Sequence, residues 1–87
     1  MALKRCGRPV ARTEAVYFTM ADGSPDPVVC RVWSHALAKL ARIDDEALTA
    51  GDLERVFLAY RDRVEAAAEA KFARGVRSIS VGPSDFN

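Results

Sequence analysis

Apolar residues recur along this chain with two different spacings, and each change of spacing marks a new element. Between Ala15 and Met20, Val16, Phe18 and Met20 alternate with Tyr17 and Thr19. A period of two belongs to a half-buried strand. The cluster ADGSPDP over residues 21–27 is rich in residues that bend a chain. VVCRVW then restores the alternation, with Val28, Cys30 and Val32 on one face and Val29, Arg31 and Trp33 on the other. Two such strands around one turn predict a hairpin over residues 15–33.

From Ser34 the spacing lengthens. Ser34 suits an N-cap, and Ala36, Leu37 and Leu40 supply the apolar side of a short helix ending near Arg42. Ile43 is expected to tuck inward. Asp44, Asp45 and Glu46 are expected to stay hydrated and to cap a helical turn through Leu48. Residues 52–74 then read as one long helix, with Leu53, Val56, Phe57, Tyr60, Val64, Ala67 and Ala68 on one side. Thr49 and Asp52 have the spacing of a capping box, Gly75 is a natural stop, and Lys71 and Arg74 suit the negative end of the helix dipole. The short period returns over Val76–Val81, where Ile79 and Val81 should face inward and Ser78 and Ser80 outward. Gly82-Pro83 ends that strand, leaving a short tail.

The order strand, strand, helix, helix, strand predicts a two-layer α+β domain over residues 14–87. The long helix should cross one sheet face, with Phe57, Tyr60 and Val64 meeting Phe18, Val32 and Ile79. The other sheet face is less well defended. Residues 1–13 read as a basic flexible arm, because Gly7 and Pro9 break any regular pattern.

Composition changes this picture little. Half the 87 residues are hydrophobic and 29% are charged, as in a globular domain. The net charge of +1 exerts no overall pull on nucleic acid or membrane, but Lys4, Arg5, Arg8 and Arg12 crowd the arm without an acid among them. There is no signal-like apolar run and no stretch near the ~20 residues that span a bilayer. Cys6 and Cys30 lack metal-type spacing. Reduced thiols in a cytoplasm are the expectation, although a Cys6–Cys30 disulfide is open to a reaching arm.

From Tyr17 onward the chain resembles a small bacterial family, domain of unknown function 1488. The passages VYFTM…DG, VVCRVWSHAL, YRDRVEAAAEAKFARG and SVGPSDF carry the resemblance, over about the last four-fifths of the chain. It picks out Cys30, Ser34, Leu37, Phe57, Arg61, Val64, Lys71 and Asp85. Trp33, where the family has a smaller aliphatic residue, and a shortened segment after Gly75 depart from the pattern. The resemblance implies a small α+β fold and no activity.

No phosphate loop, metal cluster or nucleophile elbow is present in the sequence, and neither cofactor nor catalytic residue is expected. His35 reads as an exposed residue at a helix start. Cys30 reads as a buried thiol, and Cys6, between Arg5 and Gly7-Arg8, as an exposed one. Lys71 should lay its stem over Ala67 and Ala68. Two function classes remain. The first is a non-enzymatic protein-interaction module in which a small sheet or helix face recognises either another protein or a second copy of the chain, with a helix stripe of Leu58, Arg61, Glu65, Glu69 and Phe72 as the candidate contact. The second is a nucleic-acid accessory protein using Lys4, Arg5, Arg8 and Arg12, aided by Arg31, Arg61 and Arg63, for which the arm is expected to give weak, non-specific affinity at most.

Overall fold

A computed structural model describes residues 3–23, 25–43, 48–76 and 78–86. Among them four strands form one sheet in the order β1-β2-β3-β4, with β1 at Lys4–Ala11, β2 at Ala15–Ala21, β3 at Val28–Trp33 and β4 at Ile79–Val81. The helices are α1 (Ser34–Ala41), α2 (Ala50–Ala59) and α3 (Arg61–Ala73). The α+β class holds, as does the hairpin, whose register pairs Phe18 with Cys30 and Tyr17 with Arg31. Helices cover one sheet face. Val16, Phe18, Met20, Cys30, Val32, Ile79 and Val81 from the strands are buried with Leu37, Leu53, Phe57, Val64 and Ala68 from the helices. At its centre the Phe18 and Phe57 rings lie 5.2 Å apart, tilted by 42°.

The flexible arm is corrected. Lys4–Ala11 is a strand paired antiparallel with β2, and Leu3 before it is buried. Gly7 and Pro9 do not end the strand, because the register shifts between Cys6 and Val10. Gly7 takes φ +70 there, and the Thr19 hydroxyl donates to the Cys6 carbonyl at 2.6 Å. A bulge on an edge strand is where glycine and proline fit a sheet.

The single long helix is corrected too. Tyr60, at φ −113 and ψ 19, leaves the helical region and separates α2 from α3. Neither Pro nor Gly marks this break in the sequence. The start is as expected: the Thr49 hydroxyl accepts from the Asp52 N–H at 3.2 Å, and the Asp52 carboxylate accepts from the Thr49 N–H at 3.1 Å. The stop is as expected as well, with Gly75 at φ +87 and its N–H donating to the Phe72 carbonyl.

Smaller corrections concern the ends of elements. Ser34 is the first helical residue rather than a cap, and Trp33 occupies the cap position without a side-chain cap hydrogen bond. Arg42 takes φ 57, which turns Ile43 outward, where it is 44% exposed although its N–H donates to the Ala38 carbonyl. The closing strand is only Ile79–Val81, parallel to β3. Pro83–Phe86 coils into a 3-10 turn instead of trailing as a tail. The expected acidic turn over Asp44–Glu46 lies outside the described residues.

Candidate functional site

The helix stripe does not form one surface. Leu58 is exposed on α2, whereas Phe72 on α3 is half-buried against the core. An antiparallel pairing of Leu58 with Phe72 presupposed a straight helix between them, and the break at Tyr60 removes that premise. The middle of the stripe is covered. Arg61 and Glu65 are only 12% and 13% exposed, and their Nε and Oε2 meet at 2.9 Å. Arg5 reaches over from β1, placing Nε 3.0 Å from Glu65 Oε2 and Nη2 2.9 Å from Glu65 Oε1. That two-pronged geometry is the strong form of a carboxylate–guanidinium contact. Arg5 Nη2 also lies 3.3 Å from Asp62 Oδ1. Burial pulls the Glu65 pKa upward, but hydrogen bonds and charge from Arg5 and Arg61 win and hold it below the ordinary carboxylate range. The same contact raises the Arg5 pKa. Glu69 is half-buried on α3.

The basic set divides along the pleat. Arg5 lies opposite Met20, on the helix side. Lys4 lies opposite Ala21, so it faces the other way. Arg8 and Arg12 are exposed at the bulge and at the β1–β2 turn. Among the described residues no carboxylate pairs with Lys4, Arg8 or Arg12.

The sheet face turned away from the helices was expected to be the less well defended one, but of its residues only Arg31 was put forward as a contact. Its central rung is Val10–Tyr17–Arg31–Ser80, cross-strand partners along all four strands. Cys6, Thr19 and Val29 form the next rung, and Trp33 lies beyond on β3. Val10 is 50% exposed and Val29 60%. Arg31 is fixed in place: its Nε donates to Ser80 Oγ at 2.8 Å, and its guanidinium carbon sits 4.5 Å from the Trp33 ring centre. The His35 ring, at the start of α1, lies 6.4 Å from Trp33 with planes 23° apart. A shallow depression of about 630 Å³ opens beside this rung, its wall including Tyr17, Val29, Arg31, Ser80 and Phe72. The signal for this face was in the sequence, since the out-facing positions of VYFTM and VVCRVW are Tyr17, Val29, Arg31 and Trp33 rather than a purely polar set.

Other candidates have structural roles. Burial, with the charge of Glu65 adding, pushes the Cys30 thiol up to about 11. Cys6 and Cys30 are both free, and the pleat sets them on opposite faces of the sheet with β2 between their strands. Lys71 Nζ donates to the Ser80 carbonyl at 2.7 Å and meets Asp85 Oδ2 at 3.1 Å, rather than ending in water. Asp85 Oδ2 in turn accepts from the Gly82 N–H at 2.7 Å, which ties the 3-10 turn to α3 and β4. Most residues picked out by the family resemblance thus pack or anchor: Cys30, Leu37, Phe57 and Val64 in the core, Arg61 on Glu65, and Lys71 on Asp85. Among the described residues no group of three or more His, Cys, Asp or Glu is placed to hold a metal ion, and no helix is long and apolar enough to cross a membrane. Comparison with family models, with curated proteins and with solved structures finds no match to this chain.

Proposed function

We propose that this protein is a small non-enzymatic binding module that meets its partner with the open face of its sheet. The observation that carries this reading is the rung Val10–Tyr17–Arg31–Ser80, flanked by Val29 and Trp33 on the side that the helices leave uncovered. Aromatic and aliphatic surface around one immobilised guanidinium has the composition of a recognition surface, in which rigid Tyr, Trp and Arg side chains contribute most of the binding energy. Arg31 is held by Ser80 and Trp33 before any partner arrives, so little side-chain entropy is lost on binding. The helix layer offers less. Its charged middle is occupied by Arg5, and Leu58 is a lone apolar exposure of an ordinary kind.

Placing a photoactivatable cross-linking residue at Val29, and separately at Leu58, in the cells that make the protein tests this reading. Adducts of any class should form from position 29 and not from position 58. Adducts from position 58 alone, or from neither, contradict it.

A further inference from the structure

We infer that the partner of the open sheet face is a single-stranded nucleic acid, whose bases stack on Tyr17 and on the guanidinium of Arg31 where it covers Trp33, and whose phosphates lie against Lys4, Arg8, Arg12 and the edge of Arg31; this rests on the open-face reading above. The first ground is a charge division that the near-zero net charge conceals. The four strands carry Lys4, Arg5, Arg8 and Arg31 and not one Asp or Glu. The acids of the described residues sit on turns and helices. Arg5 is drawn to the helix side by Glu65 and Asp62, and Arg55, Arg61 and Lys71 are likewise paired with carboxylates. Lys4 and Arg31 face outward, with Arg8 and Arg12 at the rim and no carboxylate paired to any of the four among the described residues. A polyanion is the complement of that arrangement.

The second ground is aromatic. Tyr17 is the direct cross-strand neighbour of Arg31, and Arg31 lies over Trp33. The Tyr17 ring and the guanidinium that covers Trp33 together form a platform on which unpaired bases stack, a contact that tolerates any base because each has a π face. The depression beside Tyr17 and Arg31, at about 630 Å³, has room for one splayed nucleotide. Asp22 and Asp26 also line it, so a base rather than a phosphate enters there. A duplex keeps its bases stacked inside and has no use for the platform. A second copy docked face to face sets like charges together. An acidic protein segment satisfies the charge but not the rings.

The chain has a single tryptophan, Trp33, which makes it the reporter. The intact protein is titrated with oligo-dT and oligo-U of about 10 nucleotides, with a duplex of the same length, and with poly-glutamate. The single strands should quench Trp33 fluorescence, and their Kd should rise about 20- to 50-fold between ~50 and ~200 mM salt, as three or four neutralised phosphates require. Tyr17→Ala should weaken binding about tenfold and Tyr17→Phe should not. Val29→Glu, at an exposed position that leaves the core untouched, should abolish binding while circular dichroism stays unchanged. Poly-glutamate binding as tight as the oligonucleotides, duplex binding without quenching, or no single-strand binding at low salt each overturns the inference. If no oligonucleotide binds but cross-links from position 29 persist, the open-face reading survives and the nucleic-acid inference falls. If both fail, both fall.

Discussion

Arg5 and Glu65, sixty residues apart in sequence, meet through two hydrogen bonds of 2.9 and 3.0 Å. The contact joins the sheet's edge strand to the middle of α3. It takes one arginine away from the basic set and closes the charged centre of the helix stripe. Both surfaces suggested by the sequence are changed by this one pair. Arg5→Ala and Glu65→Ala should each lower stability, with Glu65→Ala costing about 2–3 kcal/mol because it leaves Arg61 poorly compensated at a 12% exposed position. A double-mutant cycle in urea should give a coupling of about 1 kcal/mol or more, and additive effects would show that the pair is an idle surface contact.

Acid should weaken the fold through the same carboxylate. Glu65 is held below the ordinary range in the folded protein, against about 4.3 when unfolded, so protonation favours the unfolded chain. Its contribution is present above about pH 4.3 and is lost as pH falls through the lower folded value. Asp52, depressed chiefly by the Thr49 N–H, acts in the same direction. Tm measured from about pH 6 to 3 should fall, and Glu65→Gln should flatten that fall while lowering the neutral-pH plateau. An unchanged slope in Glu65→Gln would place the acid sensitivity elsewhere.

The two thiols should differ sharply. Cys30 is 1% exposed and its thiol is pushed up to about 11 by burial, with Glu65 adding. Reactive cysteines need access and an easily formed thiolate, and Cys30 has neither at neutral pH. Titration of the native protein with a chromogenic disulfide at pH 8 should label Cys6 and leave Cys30 unlabelled until denaturant is added. Equal rates in Cys6→Ser and Cys30→Ser would contradict the burial of Cys30.

Phe57 is fully buried against Phe18, with the Arg61 guanidinium 5.4 Å from its ring centre. Phe57→Ala should cost about 3–5 kcal/mol. Arg55→Ala, on the outer face with a mostly exposed contact to Asp52, should change stability by no more than about 0.5 kcal/mol. Denaturant midpoints of the two variants separate these outcomes.

The core was legible because apolar periods report which residues face inward. Val16, Phe18, Cys30, Val32, Phe57, Val64 and Ile79 are all buried as their spacing implies. Edges were harder. An edge strand with a bulge interrupts its own period, so Gly7 and Pro9 in β1 looked like the end of structure when they mark a register shift. The break at Tyr60 leaves the helical period of the apolar residues on either side nearly in phase, and nothing local announces it. The less defended sheet face was expected, but its residues were not assembled into a surface, for a related reason. Helix-wheel geometry finds faces along one element, whereas the open face is assembled from Val10, Tyr17, Val29, Arg31 and Trp33 on three different strands. Their adjacency depends on register, which alternation alone does not supply.

Backbone amide mapping during titration of the labelled protein with oligo-U tests most directly where binding occurs. Perturbations should cluster at Val10, Tyr17, Val29, Arg31 and the Trp33 indole, and should leave Leu58, Arg61 and Glu65 in place. Perturbations confined to α2 and α3, with the open face silent, would contradict the assignment of that face as the binding surface.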